Sequence, residues 1–331
     1  MDFRKLFVIE DGEKMRAEKK KAKRNKMLII FLLLFTILLI GTGSYAYYIW
    51  HKATSTVANI QEDIGRKKSD KREVKVNVER KEPISILLMG VDERKGDRGR
   101  SDSLILITVN PNKKSTEMLS IPRDTRTEII GKGFQDKINH AYAFGGTEMA
   151  IKTVESFLDV PVDYFVKVNM ESFKDIVDAV GGVTVENSFT FTYGGVTFKK
   201  GTLHLNGEEA LLYSRMRYED PRGDFGRQDR QRQIIQAVIE KGANISSITK
   251  FGEMFKIVED NVTTNLTFDE MWDIQENYKE AINQLNQHQI KGSGKMIGGT
   301  YYFIVPEEER LALSNKIKEH LELSESTASN N

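Results

Sequence analysis

The amino-acid sequence predicts an α/β fold with a mixed central β-sheet flanked by helices, preceded by a single N-terminal transmembrane helix. Two observations lead to this prediction. A stretch of 23 residues near the N-terminus carries no charge. Beyond it, short apolar runs alternate with segments whose apolar residues recur at helical spacing, which is typical of a layered α/β domain. The 331 residues include no cysteine, which excludes disulfides, zinc thiolate sites and cysteine nucleophiles.

The uncharged stretch, residues 27–49, is long enough to span a bilayer, because a helix rises about 1.5 Å per residue and the hydrocarbon core is about 30 Å thick. It is longer than the apolar core of a usual signal peptide. It also ends in an aromatic belt of the kind found at membrane surfaces, formed by Tyr45, Tyr47, Tyr48 and Trp50. Both features favour a retained signal anchor over the alternative, a cleaved signal peptide.

The orientation follows from the basic tail, residues 1–26. Eight Lys or Arg lie between Lys14 and Lys26, and positive charge stays on the cytoplasmic side of a membrane. The sequence therefore predicts a single-pass type II protein of the cell membrane, with its folded domain outside the cell.

Composition shifts divide the rest of the chain into three parts. Residues 50–82 are polar and charged, and we expect an extracellular linker or stalk there. The folded extracellular domain is predicted over residues 83–323. The last residues, 324–331, have the composition of a disordered tail.

Six segments of the domain have the apolar and β-branched character of strands. They are residues 84–91, 103–110, 116–121, 164–168, 183–187 and 301–305. Between them, Thr147 can cap a helix that carries apolar residues as far as Leu158, and Asn169 can cap another that ends at Gly181. Strands and helices mixed in this way indicate a mixed sheet.

Charged residues are predicted to meet at one end of the first three strands. A two-residue turn at 112–113 would place Asp102 opposite Arg123. Asp92 follows the first strand, and the loop after it must return to Asp102, so these three residues share one end of the sheet, with Arg100 and Arg126 nearby. Carboxylate oxygens suit Mg²⁺, and guanidinium forks suit phosphate. A surface ion-pair network fits the same spacing, which does not separate the two interpretations.

A cluster of six arginines lies between Arg215 and Arg232, although residues 27–331 as a whole hold 39 of the 49 basic and 43 of the 48 acidic residues. Asn206 and Glu209 form a capping box, so a short helix would present Arg215 and Arg217 at its end. Basic clusters can bind nucleic acid, but this one is predicted outside the cell, so we expect no nucleic-acid partner.

A second helix is predicted to start near Arg227. Arg227 and Gln231 share the spacing of its apolar stripe, whereas Arg230 and Arg232 are predicted to point away from the core. A buried arginine needs a partner, because desolvating it unpaired is costly.

Asp224 can serve as such a partner, but one carboxylate does not balance Arg215, Arg217 and Arg227 together. A bound diphosphate would balance the charges of all three arginines.

Several motifs in order resemble the LytR-CpsA-Psr family of cell-wall enzymes. They are LLMGVDER, GRSDSLILITVNP, LSIPRDTR, KINHAYAFGG, VGGV and HLNGEEALLYSRMRYEDPRGDFGRQDRQRQII, and together they cover residues 80–320. The layout of short cytoplasmic tail, signal anchor and extracellular α/β domain is similar to that of the family's teichoic acid transferases.

The resemblance implies an enzyme that transfers an anionic glycopolymer, wall teichoic acid first among them, from an undecaprenyl diphosphate carrier to a muramic acid hydroxyl of peptidoglycan. It implies Mg²⁺ or Mn²⁺ held by Asp92 and Asp102, with Asp92, Asp102 and Arg123 as the catalytic residues. The implied diphosphate site consists of Arg100, Arg123, Arg126, Arg215, Arg217, Asp224, Arg227 and Gln231. Asp102 and Asp92 are also the candidates for the general base.

Three alternatives remain. The same chemistry would serve a capsule or secondary wall polysaccharide, and with water as nucleophile it would give a lipid diphosphate hydrolase. A non-catalytic membrane-bound regulatory or lipid-binding protein is the third. Inward arginines beside paired aspartates, on a domain that faces away from the chromosome, favour the enzyme.

Overall fold

The computed structural model describes residues 44–45, 47–93, 98–169, 173–243, 259 and 261–323. The chain forms two compact units, Met1–Lys52 and Ala53–Asn331. The predicted cytoplasmic tail, most of the predicted transmembrane helix and the predicted C-terminal tail lie outside the described residues. Within the part that is described, no helix is both long and apolar enough to cross a membrane.

A mixed sheet of six strands forms the centre of the second unit. In spatial order its strands are β11 (Val262–Thr264), β6 (Tyr164–Asn169), β1 (Ile84–Val91), β2 (Ser101–Asn110), β3 (Ser115–Ile121) and β12 (Leu285–Gln289). β1, β2 and β3 pair antiparallel, whereas β6 runs parallel to β1 and β12 runs parallel to β3. The predicted mixed sheet is confirmed.

Two-stranded ribbons and helices surround this sheet. The ribbons pair β4 (Arg126–Ile129) with β5 (Phe134–Lys137), β7 (Val183–Asn187) with β10 (Gly201–Leu205), β8 (Phe191–Tyr193) with β9 (Val196–Phe198), and β13 (Ser293–Ile297) with β14 (Thr300–Ile304). The helices are α1 (helical from residue 47 to 60, of which 53–60 belong to this unit), α2 (His140–Leu158), α3 (Phe173–Ala179), α4 (Gly207–Arg215), α5 (Asp224–Ala243), α6 (Phe268–Asn277) and α7 (Glu307–His320), with a 3₁₀ turn at Lys279–Asn283.

Both faces of the sheet are apolar, because alternate residues of a strand point to opposite sides. Leu104 and Leu106 of β2 belong to the main core, together with Val154 of α2 and Ile317 of α7. Their neighbour Ile105 faces the other way, into a smaller cluster that includes Ile235 of α5 and so joins α5 to the sheet. Helices therefore flank the sheet, as predicted.

The prediction of a linker over residues 50–82 is wrong from Ala53 onward. Ile64 lies in the main core, and Val76 and Val78 are buried beside β1 and β6. Arg66 is also paired with Glu155 at 2.6 Å, with both side chains nearly excluded from solvent. The segment looked solvated because its charges outnumber its apolar residues, but those charges find their counter-ions on the domain.

The helix boundaries differ from the predictions in two places. α2 begins at His140, before the predicted cap Thr147, but it is kinked at Gly145 and Gly146, so its second half starts where the sequence indicated. α5 begins at Asp224, three residues before Arg227. Asp224 sits in the first turn, where the helix dipole stabilises a negative charge, and it accepts a hydrogen bond from Gln228 at 3.0 Å.

Candidate active site

Asp102 lies at a β-bulge near the start of β2. Gly90 of β1 faces Ser103 and the next residue, Val91, faces Ser101, so Asp102 is the extra residue between them. A bulge bends its strand and changes the direction of a side chain. The local geometry thus sets Asp102 apart from the regular alternation of the strand.

Arg123 reaches Asp102 from the turn that follows β3. The β2–β3 ladder pairs Leu104 with Ile121, which is the predicted register, and Arg123 Nη1 donates to Asp102 Oδ1 at 2.9 Å. Burial lowers the pKa of Arg123, but the charge and hydrogen bond of Asp102, with smaller contributions from Asp124 and Asp224, raise it above the ordinary value. The predicted pairing of Asp102 with Arg123 is confirmed.

A cleft of about 440 Å³ opens beside this pair. It is lined by Asp92, Gly99, Arg100, Asp102, Arg123, Asp124, Lys137, Asn139, His140 and Ala143. Asp92 enters it directly after β1, where its main-chain N–H donates to the carbonyl of Arg100 at 3.2 Å. The structure therefore brings both predicted aspartates and two of the predicted arginines to one cleft.

The first turns of α5 supply a second group of charges. Arg227 Nη2 lies 2.6 Å from Asp224 Oδ1, and Arg217 Nε lies 3.8 Å from the same oxygen. Gln231, one helical turn beyond Arg227, accepts a hydrogen bond from Ser103 of β2 at 3.2 Å. This contact fixes α5 against the strand that carries Asp102.

The two groups of charges lie close enough to affect one another. Burial lowers the pKa of Arg227. The charges of Arg123 and Arg217 lower this pKa further, whereas those of Asp224 and Asp102 raise it. Because the charges of Arg123 and Arg217 each act to lower the pKa of Arg227, they repel its guanidinium, so an anion placed among the three would be stabilised. The arrangement can therefore hold a phosphate or diphosphate.

Among the residues that the structure describes, four buried side-chain atoms have no hydrogen-bond partner, and all four lie in or beside this cluster. They are Asn139 Oδ1, Asp224 Oδ1, Arg227 Nε and Gln228 Oε1. Native proteins leave few buried polar atoms unsatisfied, and a role in binding an ion or ligand is one physical reason for them. Arg227 Nε in particular is a charged donor without an acceptor, so it is suited to bind an anion.

Arg126 and Arg215 are not among the described residues that line the cleft. Arg126 stacks over the ring of Tyr302 at 5.8 Å, and no hydrogen bond or ion pair joins it to Asp102 or Asp224 in the described part of the chain. Arg215 is the last residue of α4 and is half-buried.

The prediction that Arg230 and Arg232 point away from the core is wrong. Arg230 is 3% exposed and donates to Asp220 Oδ2 at 2.6 Å and to the carbonyls of Met216 and Tyr213 at 2.5 and 3.1 Å. Helical periodicity missed this because α5 packs against the sheet on one side and against α4 on another. Arg230 thereby holds the segment that carries Arg217.

Arg232 is also buried, on the sheet side of α5. It donates to Ser120 Oγ at 2.6 Å and to Gln287 at 2.9 Å, and it pairs with Asp229. Burial, with a smaller contribution from Arg222, lowers the pKa of Arg232 to about 10. It is a structural residue, which ties α5 to β3 and β12.

Asn139 and the pair Asp124–Lys137 were not among the predicted site residues. Lys137 Nζ lies 2.6 Å from Asp124 Oδ1, and both line the cleft. Asn139 Nδ2 lies 3.5 Å from Asp102 Oδ1. The motif KINHAYAFGG contains Lys137 and Asn139, but the position of an Asn before a helix indicates a cap and not a site residue.

The cleft supplies some of the oxygen ligands that a divalent cation needs. Asp92 and Asp102 both supply hard carboxylate oxygens, which Mg²⁺ and Mn²⁺ prefer. Within the described residues, no three His, Asp or Glu side chains form a group that could hold a metal ion. The residues present fit a cation that keeps water or substrate phosphate among its ligands, as Mg²⁺ commonly does.

Comparisons with known proteins agree with this chemistry. The sequence model of the LytR_cpsA_psr family matches residues 47–319. The chain is 62% identical to the polyisoprenyl-teichoic acid–peptidoglycan teichoic acid transferase TagU of Bacillus licheniformis, over 93% of this chain and 99% of that protein. The crystal structure of B. subtilis TagU is 60% identical, with a TM-score of 0.61 over 73% of this chain and 97% of that one. A structure of TagT bound to LIIa-WTA is 32% identical, with a TM-score of 0.67 over 78% of this chain and 98% of that one.

Proposed function

Because the chain belongs to the LytR_cpsA_psr family, we propose that it transfers wall teichoic acid, an anionic glycopolymer, from an undecaprenyl diphosphate carrier to peptidoglycan. The hydroxyl oxygen of a muramic acid residue attacks the phosphorus next to the glycopolymer. The bond from that phosphorus to the bridging oxygen breaks, undecaprenyl phosphate leaves, and the hydroxyl proton passes to a base. The product is a phosphodiester between peptidoglycan and the polymer.

The observation that carries this proposal is the set of converging arginines with unused hydrogen-bonding capacity. Arg123 and Arg227 share the neighbourhood of Asp102 and Asp224, and Arg227 Nε is buried without an acceptor. Phosphoryl transfer spreads charge over the phosphate oxygens, so the protein acts mainly by positioning and by stabilising charge. A diphosphate seated here would use the donors that the protein leaves unsatisfied.

Each residue has a distinct role in this proposal. Asp92 and Asp102 hold Mg²⁺ or Mn²⁺, which when bound neutralises charge on the diphosphate. Arg123 is held by Asp102 and presents its remaining donors to phosphate oxygens. The other diphosphate contacts are Arg100, Arg126, Arg215, Arg217, Asp224, Arg227 and Gln231. An aspartate of the pair, Asp102 or Asp92, accepts the hydroxyl proton.

The membrane belongs to the proposal as well. Residues 27–49 would anchor the chain in the cell membrane, with the catalytic domain outside and residues 1–26 in the cytoplasm. The uncharged stretch and its basic flank support this topology. An anchored domain meets a lipid-linked donor within the same membrane, which raises the effective concentration of each for the other.

The experiment is a transfer assay with the full chain in detergent, a synthetic polyprenyl-diphosphate glycopolymer and soluble peptidoglycan oligomers. Release of polyprenyl phosphate and labelling of the oligomer are measured together, with and without Mg²⁺. Arg123→Met and Asp102→Asn are expected to lower the turnover about 100-fold or more, since losing one preorganised charge-stabilising group has an effect of this order. Lys114→Met is the control, because Lys114 pairs with Glu280 at the far end of the same β-hairpin.

The outcomes separate the alternatives. Release of polyprenyl phosphate that needs the oligomer and both side chains supports the transferase. Equal release without the oligomer would indicate a hydrolase, and donor binding without release in any condition would indicate a regulatory or lipid-binding protein. Comparing teichoic acid, capsule and secondary wall polysaccharide donors identifies the polymer.

A further inference from the structure

Asn139 occupies a helix cap position without acting as a cap. It precedes α2, but its side chain makes no capping hydrogen bond to that helix. An Asn at this position usually accepts a hydrogen bond from the first turn of the helix. Here the side-chain amide turns instead to Asp102, so that Nδ2 lies 3.5 Å from Asp102 Oδ1.

The backbone fixes Asn139 in this place. The main-chain N–H of Asn139 donates to the carbonyl of Arg123 at 3.3 Å, and the carbonyl of Asn139 accepts a hydrogen bond from Ser101 Oγ at 3.5 Å. The residue is 3% exposed and lines the cleft. Asn139 is therefore held between the strand that carries Asp102 and the turn that carries Arg123.

The side-chain oxygen of Asn139 is left without a partner. Asp102 can only accept, so it takes the Nδ2 side of the amide, and Oδ1 is the end that remains free. Both hydrogen bonds to Asp102 use its Oδ1. Asp102 Oδ2 and Asn139 Oδ1 are thus two hard oxygens on adjoining side chains, and neither has a hydrogen bond in the described part of the chain.

We propose that Asn139 Oδ1 is a third protein ligand of a divalent cation, beside Asp92 and Asp102. This inference rests on the proposed function, which places the cation in the cleft. Side-chain amide oxygens are accepted ligands of hard cations. Asn139 supplies such an oxygen, since its Oδ1 is buried without a hydrogen-bond partner and its Nδ2 contacts the carboxylate of Asp102.

A bound cation also explains why the protein tolerates the destabilising arrangement of Asn139. A buried polar atom without a partner destabilises a protein, and the lost cap adds to that cost. The main competing role for Oδ1 is to accept a hydrogen bond from the hydroxyl of the acceptor. That role needs no cation, so a direct measurement of metal binding distinguishes the two.

The test measures Mn²⁺ affinity of the full chain by calorimetry and by the Mn²⁺ paramagnetic resonance signal, without lipid donor. Asn139→Ala is expected to weaken Mn²⁺ binding about tenfold or more, the scale seen when groups that support a metal site are removed. Asn139→Asp keeps a hard oxygen and should restore Mn²⁺ binding to at least the wild-type affinity.

Asn206→Ala provides the matched control. Asn206 caps α4 with both bonds of a capping box, so its loss should lower the melting temperature and leave Mn²⁺ binding unchanged. Asn139→Ala has no cap to lose, so the two variants should show opposite patterns of stability and metal affinity.

The inference is overturned if the wild type binds no Mn²⁺, or if Asn139→Ala stays within about twofold of wild-type affinity, far below the expected effect. A raised KM for the peptidoglycan acceptor at unchanged Mn²⁺ affinity would also overturn it, in favour of the hydroxyl role. Transfer activity is scored separately. A wild type that binds Mn²⁺ but transfers nothing refutes the proposed function, while intact transfer with unchanged Mn²⁺ binding in Asn139→Ala refutes this inference alone.

Discussion

Asp220 offers an internal comparison between a buried and an exposed ion pair. Its side chain is 0% exposed and contacts two arginines, of which the Arg230 side chain is 3% exposed and the Arg222 side chain is 51% exposed. Arg230→Met would leave a buried carboxylate and remove the donors to the carbonyls of Tyr213 and Met216. Breaking a buried pair from one side costs about 3–5 kcal/mol, whereas an exposed pair is worth about 0–1 kcal/mol.

We expect Arg230→Met to lie near the lower end of that range, at about 3 kcal/mol, because Arg222 still contacts Asp220 after the substitution. Arg222→Met should lower the free energy of unfolding by less than about 1 kcal/mol. The measurement is urea unfolding of the full-length variants, followed by circular dichroism. Equal losses in the free energy of unfolding for the two variants would refute the assignment of Arg230 as the residue that stabilises the segment between α4 and α5.

The same comparison extends to function. Arg230 fixes the two carbonyls that bracket Arg215, and Arg217 follows directly after Met216. Arg230→Met should therefore raise the KM for the lipid-linked donor as well as lower stability, while Arg222→Met leaves the KM unchanged. An unchanged KM for the lipid-linked donor in a folded Arg230→Met protein would show that the segment around Arg215 and Arg217 keeps its conformation without the hydrogen bonds of Arg230.

Three further predictions follow from the same contacts. Arg227→Met should weaken binding of inorganic pyrophosphate about tenfold or more in calorimetry, since a hydrogen bond to a charged group is worth roughly 1.5–3 kcal/mol, and unchanged affinity would contradict the anion site. Gly99→Ala should weaken Mn²⁺ binding, because a Cβ there would lie 1.8 Å from the Asp92 carbonyl oxygen, whereas Gly65→Ala, also at positive φ but with no atom within 4 Å, should not. Burial lowers the pKa of His320 from 6.5, so the imidazole binds a proton less readily in the folded state than in the unfolded state. The free energy of unfolding should therefore keep the full contribution of neutral His320 above about pH 6.5 and fall as the pH drops below it. His320→Gln should flatten this pH dependence, measured as the midpoint of urea unfolding.

The features set by local sequence were predictable. The pairing of Asp102 with Arg123 follows from a short connection between two apolar strands, since the turn fixes the register of a hairpin. The capping box at Asn206 and Glu209 is present as predicted and delivers Arg215 to the end of α4. In each case the information lies within a few residues, so it can be derived without knowledge of the tertiary fold.

Features that depend on packing from two sides were not predictable. A single apolar stripe assigns each helical residue to an inner or an outer face, and this rule placed Arg230 and Arg232 outside. In the structure α5 contacts both the sheet and the α4 region, so side chains on more than one face are buried. For the same reason residues 53–82 were misassigned as a linker, because Glu155 and Asp163, which neutralise Arg66 and Arg72, lie far away in the sequence.

Four of the six arginines between Arg215 and Arg232 can be sorted by how fully their donors are used. Arg230 and Arg232 are buried and bonded on several sides, and so they support the fold. Arg222 is exposed and bridges Asp220 and Asp229. The Arg227 side chain is 11% exposed, and its buried Nε is unsatisfied beside a carboxylate that it shares with Arg217. Burial alone therefore does not separate a structural arginine from a binding one. An unused donor at a buried position does, since the cost of leaving it free is recovered only when an anion is bound.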